Sequence, residues 1–343
     1  MQRELPGAFL LDVGYVANSA HHLGGWLDNL NQVDPKYLTL GPVLNAPLSS
    51  AAGQATGIPL PYSGFTGTVA QALRPYPQYQ SIYHDMQTLG KSHYNSLQVK
   101  LQRQFHNGIS VLASYTYSKL MTDAENQEGW YDIWGGGRGG IQNSFNRAAE
   151  FGVANSNPPQ NLALSYVIEL PFGTGKRFVR EPGVARAVLG GWSISGVQHY
   201  QSGTPLAISS AGNTPIFNWG LRPNIVAGQP LRASWSGRFD PAKDVYANAA
   251  AFSVPPDYTF GNAATILPLR GFSYFNEDIA LHRRFRVTES IGAEFRVDAF
   301  NLFNRADFAN PDMFYSPTNT DFGHTGSQAN SPRSVQFAVT IHF

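Results

Sequence analysis

Two neighbouring stretches hold the densest set of ionisable side chains that alternation brings to one face. Asp278, His282 and Arg284 stand in FNEDIALHRRF, and Glu294, Arg296 and Asp298 in SIGAEFRVDAFNLF. Residues two apart along an extended chain share a face, and neighbours on adjacent strands lie about 5 Å apart, so these acids and bases can pair. Such a surface suits either a charge ladder that keeps a wet interior satisfied or a contact face for a solute or an inserted domain. Other candidate chemistry fails on spacing. FGTGKRF carries Arg177 where a phosphate-binding loop needs a hydroxyl residue, so it reads as a turn. GGGRGG, residues 135–140, follows no strand and opens no helix, and reads as a loop tip. His21 and His22 are adjacent in a loop, and no H-E-x-x-H occurs among the nine histidines. Asp123 and Glu125 sit in a polar loop that needs no acid or base role. No catalytic, cofactor-binding or metal-ligating residue is expected.

Composition narrows the class. Charged residues make up 14% of the 343, well below the roughly 25% of a soluble domain, while 34 glycines, 23 prolines and 13% aromatics are plentiful. The surface is therefore unusually uncharged or partly outside water. A formal net charge of +1 without any basic stripe argues against a nucleic-acid partner. With no cysteine, neither disulfides nor thiolate metal ligation is available. MQRELPGAFLLDVGYV lacks the apolar core of a secretory signal, and no run reaches the roughly 18 apolar residues of a spanning helix. A membrane location would have to be built from strands, and an exporting segment would have to lie outside this sequence.

The elements that position the charged face are strands. In NSLQVKLQRQF, residues 95–105, Leu97, Val99, Leu101 and Phe105 alternate with Ser96, Gln98, Lys100, Gln102 and Gln104. The link HNG, residues 106–108, reads as a tight hairpin into ISVLASYTYS. The pattern returns in GAFLLDVGYV, NLALSYVIELPF, GWSISGVQHYQ, the two charged stretches and SVQFAVTIHF. That makes about eight strands of roughly ten residues, the length that crosses a bilayer at a tilt. Short links at 106–108, 173–190 and 286–289 alternate with long ones at 19–91, 121–160, 204–271 and 304–333. Such asymmetry is foreign to compact domains and normal for an outer-membrane barrel, with short periplasmic turns and long extracellular loops.

One parity rule also yields two aromatic rings on the outward face. Phe9, Phe105, Phe172, Trp192, Phe285 and Phe343 fall at the periplasmic ends, and Tyr15, Tyr115, Tyr117, Tyr200, Phe275 and Phe303 at the opposite ends. A soluble sandwich alternates too, but it predicts neither the loop asymmetry nor the rings. The expected fold is all-β: an antiparallel transmembrane β-barrel segment, a partial barrel of about eight strands with long extracellular loops.

Several stretches resemble the C-terminal part of Oar-like, TonB-dependent-receptor-type outer-membrane proteins of acidobacterial type, which often carry a carboxypeptidase-regulatory-like domain. They include GIPLPYSGFTGTVAQALRPYPQY, GGWSISGVQHYQSGTPLAI, RGFSYFNEDIALHRRF, FRVDAFNLFNRADFANP and NSPRSVQFAVTIHF. The resemblance implies a 22-stranded barrel with a plug inside, energised from the inner membrane. A single barrel segment spanning residues 1–343 is expected, without signal peptide, TonB box or plug, as in a truncated or split frame. The implied partners are outer-membrane lipid and, only through a missing plug, a TonB-type energy coupler. The last strand, with Phe337, Val339, Ile341 and a closing Phe343, resembles the signal that barrel-assembly machinery reads by strand addition. Two rivals stay open: a small stand-alone barrel with a structural or adhesion role, and a secreted all-β binding module or glycosidase, which would need two facing acids.

Overall fold

A computed structural model describes residues 1–25, 28–84, 87–124, 141–210, 216, 221–286, 288 and 291–343. Glu125 and residues 135–140, with Val287 and Glu289 of the 286–289 link, lie outside the described residues. The main element is one antiparallel sheet whose strands follow each other in chain order. These are β1 (Gln2–Leu5), β2 (Phe9–Gly25), β3 (Gln87–His106), β4 (Ile109–Thr122), β5 (Gln160–Glu169), β6 (Trp192–Gln201), β7 (Tyr274–Arg286), β8 (Gly292–Phe300) and β9 (Ser334–His342). β1 and β9 each pair on one side only, so the sheet is an open wall.

Each of the eight long strands falls on a segment with a period of two, and β1 is an addition. Residues 2–5 form the outer arm of a hairpin with β2, pairing Gln2 with Asp12 and Leu5 with Phe9. Its turn takes Gly7 and Ala8 at φ 82° and 61°. The next hairpin is tighter than the expected three-residue link: His106 pairs with Ile109, leaving Asn107 and Gly108, both at positive φ. Asn-Gly suits a type I′ turn, whose twist matches that of the flanking strands.

Length is the main correction to the strands. β2, β3 and β4 run for 17, 20 and 14 residues, so the first long connection is 26–86 rather than 19–91. At about 3.3 Å per residue these strands exceed a hydrocarbon core and continue beyond it. The polar segment QTLGKSH lies on that continuation, where Gln87 and Gly90 are buried and the period of two is lost.

The register joins the alternating residues into continuous rows. Val13, Val99, Tyr115, Leu162, Tyr200 and Phe275 are successive partners, as are Ile109, Ile168, Ile194, Leu281, Val297 and Phe337. A one-residue slip anywhere would have sent part of a row through the sheet. The opposite rows carry Asp12, Lys100, Ser114, Ala163, His199 and Asn276.

Most buried apolar side chains are not in the wall at all. They belong to the long connections, which fold into a cap with two cores of their own. One gathers Val33, Leu44, Leu48, Phe65 and Val69 with Ile216. The other gathers Leu206, Phe239, Tyr246, Phe252, Leu267 and Phe322. Short pairings tie the cap together: Pro205–Ala207 with Ile266–Arg270, Asn224–Ile225 with Phe252–Ser253, and a parallel pair between Ser209–Ser210 and Phe314–Tyr315. The stretches expected to be plain long loops are thus largely structured.

Candidate functional site

Asp278, His282, Arg284, Glu294, Arg296 and Asp298 do share one face of the β7–β8 hairpin, opposite the apolar rows. Only part of the set pairs across the strands. Arg284 and Glu294 are register partners and form a 2.8 Å ion pair. Arg296 instead bonds Asp298, two residues along its own strand, also at 2.8 Å. His282 sits opposite Arg296, and its Nε2 has no hydrogen-bond partner. Asp278 closes the end of β8 by accepting the Asn301 N–H at 2.8 Å. The arrangement neutralises charge locally and leaves the buried Nε2 of His282 unsatisfied.

Alternation alone did not reveal two further contributors. Glu169 at the end of β5 is bonded to Lys176, which arrives from the turn of FGTGKRF. Together with His282, Arg284 and Glu294 they line a cavity of about 570 Å³ at the end of the wall where the short turns lie. Phe105 lines it as well. A register irregularity between Arg103 and His106 interrupts the parity that extended the outward row to Phe105, since a bulge turns the following side chain.

The rest of this face is less polar than its serines suggest. Leu112, Val197 and Phe300 are exposed and line a shallow groove of about 460 Å³ with Ser110, Ser165 and Ser195. Nothing in the described residues covers that groove. Conversely, the apolar face holds a charge: Glu277 is 1% exposed because Arg305, from the segment after β8, folds over it and bonds both carboxylate oxygens at 3.0 and 3.1 Å. The Arg305 guanidinium also lies over the rings of Phe275 and Phe303.

The aromatic residues expected in two rings are placed as follows. At the long-loop end, Tyr15 donates to Asn95 at 2.6 Å, Tyr115 to Gln160 at 3.4 Å, and the Tyr200 and Phe275 rings meet at 5.9 Å. Tyr117 and Phe303 are exposed. At the turn end, Phe9 lies under Arg103, Trp192 under Arg283, and Phe285 beside the same Arg283. Phe172 stands past the end of β5 and packs against Phe178. β9 is exposed along its whole length, Phe337, Val339, Ile341 and Phe343 included. His21 meets His93 edge-on rather than acting with His22, and no group of three or more potential metal ligands occurs among the described residues.

The sequence profile of the outer membrane beta barrel domain family matches residues 1–336, almost the whole chain. The chain belongs to that family. The sheet is therefore part of a β-barrel of the bacterial outer membrane, with apolar rows on one face and the charged set on the other. No helix among the described residues is long and apolar enough to cross a membrane, which says nothing about a β-barrel. Solved structures that resemble the barrel segment are outer-membrane receptors and transporters. The transporter YddB from Escherichia coli matches at 9% identity and TM-score 0.41, over 99% of this chain and 31% of that one. FpvA of Pseudomonas aeruginosa, solved with bound pyoverdine, matches at 12% identity and TM-score 0.38, over 99% of this chain and 28% of that one. The barrel segment thus spans about a quarter to a third of the length of these chains. No curated protein sequence matches it.

Proposed function

We propose that this wall is the C-terminal part of a TonB-dependent-receptor-type barrel, of the Oar-like kind, that binds a bulky nutrient at its long loops and passes it along the inner face. The observation that supports this is the inner groove. Leu112, Val197 and Phe300 are apolar side chains on a face otherwise kept wet by paired charges, and they call for a folded cover. A plug inserted into a larger barrel would supply that cover and the route to a TonB-type energy coupler. Further strands pairing with β1 and β9 would close the wall. Lipid meets the apolar rows, and barrel-assembly machinery would engage β9 through its exposed edge.

The chain has no cysteine, so single cysteines test the faces cleanly. Val197→Cys and Ser195→Cys, inner by register, should react with a water-soluble maleimide in membranes. Ile194→Cys and Leu164→Cys should react at least about tenfold more slowly, because hydrocarbon disfavours the thiolate. Equal rates on the two faces would remove the water-lined lumen on which the proposal depends.

Orientation follows from the loops: the capped end is extracellular and the turns at 6–8 and 107–108 are periplasmic. Protease added to intact cells should cut in the long connections, at exposed positions such as Tyr76 and Tyr79. Cleavage at Asn107 and Gly108 with the cap spared would invert this orientation.

A further inference from the structure

Where the cap meets the end of the lipid-facing surface, an aromatic cleft of about 550 Å³ opens between the segment after β6, the 232–246 stretch and the segment after β8. Its volume falls within the ordinary range of small-ligand sites. Trp235, Phe272, Phe275 and Phe308 line its walls. Arg232 and Arg270 line it too, and neither has a carboxylate partner among the described residues. Arg232 lies on the Trp235 ring, 4.3 Å from its centroid, while Arg270 donates to the carbonyls of Asn157 and Gly203. Asp307 completes the lining. It is only 5% exposed, and its Oδ2 has no hydrogen-bond partner.

Asp307 is fixed in that position rather than free to turn away. Its backbone N–H donates to Asn330 and its carbonyl accepts from Ala329. Burial pushes its carboxyl pKa up, opposed by a backbone hydrogen bond from Phe275 and the Arg305 charge. A buried acceptor left unmet costs free energy that a ligand donor would recover.

We propose that this cleft binds a sugar ring. A cation would be repelled by the two arginines, and a simple anion, though drawn by them, would leave the Asp307 acceptor unmet. A neutral polyol satisfies both, donating hydroxyls to the Asp307 carboxylate and accepting from guanidinium N–H groups while its C–H face lies on an aromatic wall. The sugar has two possible sources. Phe275 lies on the lipid-facing surface next to Tyr200, so the headgroup of an outer-leaflet glycolipid can reach the cleft from the side. A free oligosaccharide can reach it from outside. The site goes beyond the transport reading and does not depend on it, because binding in detergent requires no import.

The full chain in detergent micelles, titrated with maltotetraose, cellotetraose or purified lipopolysaccharide, should change Trp fluorescence saturably at millimolar concentration or below. Asp307→Ala should weaken that binding about tenfold or more, the worth of a hydrogen bond to a charged group. Asp307→Asn, which keeps the shape and one acceptor, should weaken it less. Trp235→Phe should remove the optical change while calorimetry still detects the sugar. Response to a tetrasaccharide identifies a free ligand, and response to lipopolysaccharide alone identifies a headgroup. Absence of binding to all three, binding of glycyl-tyrosine in their place, or unchanged affinity in both Asp307 variants would overturn the proposal.

Discussion

Replacing Glu150 with Ala should loosen the cap by about 3–5 kcal/mol while leaving the wall strands paired. Glu150 accepts two hydrogen bonds from Arg222, at 2.8 and 3.1 Å, and a third from the Thr265 hydroxyl. Both ionic side chains are nearly inaccessible, at 6% for Arg222 and 9% for Glu150. Beside them Gln142 donates to the Gly261 carbonyl and accepts the Arg222 N–H. Four side chains thereby tie together segments near residues 142–150, 222 and 261–265, which the chain otherwise leaves far apart. Removing the carboxylate strands a buried guanidinium, and that stranding, more than the lost attraction, sets the size of the effect. Cap amides should then exchange with solvent roughly a hundredfold or more faster, while amides of β4 and β5 keep their protection. The double variant Glu150→Met with Arg222→Leu should recover most of the loss, since replacing both charges leaves no ion unpaired. Loss in the double variant as large as in Glu150→Ala would place the stability in shape rather than in charge.

This network also marks the boundary of what the sequence makes legible. The wall was readable because period two is a local property: Leu97 and Val99 announce their shared face without reference to any other part of the chain. Stacking those segments in chain order needs only the rule that consecutive antiparallel strands become neighbours. The cap has no such period. Glu150 and Arg222 are 72 residues apart, and Leu206 and Phe322 share a core only through tertiary packing. Nothing in either neighbourhood distinguishes a core residue from a loop residue.

Within the wall, the misreadings share one cause, which is that alternation reports a face and not a neighbour. It grouped Arg296 with His282 on one face but gave no register, and could not show that Arg296 would choose Asp298 on its own strand. Leu112 and Val197 occupy the same inner face as Ser110, Ser114 and Ser165, so a period of two marks a face without making it uniformly polar. It carried the outward row through to Phe105, across an irregularity that only the pairing of His106 with Ile109 exposes. Glu277 shows the same limit: it stands on the apolar face and is buried there only because Arg305, from outside the strands, folds over it.

Leu164→Arg should destabilise the wall by about 2–4 kcal/mol, whereas Ser165→Arg, one residue further, should be mild. Leu164 lies partway along β5, between the Leu162 that partners Tyr200 and the Ile168 close to the turn end. Its cross-strand partners are Ala113 and Gln198. A new cation there therefore meets no like charge, unlike one at Val111, whose partner is Arg103. The cost comes from placing a guanidinium in hydrocarbon, with only a partial escape by extending toward an interface. Ser165 points the other way, into the groove it shares with Ser110 and Ser195, where an arginine keeps its hydration. Both positions are paired on each side in adjacent registers, so strand position cancels in the comparison. Folding into lipid vesicles at increasing urea gives the two values directly, through the shift of the midpoint at unchanged slope. Equal destabilisation at the two positions would mean that both faces of β5 are buried against protein, and the lipid-facing row would have to be abandoned.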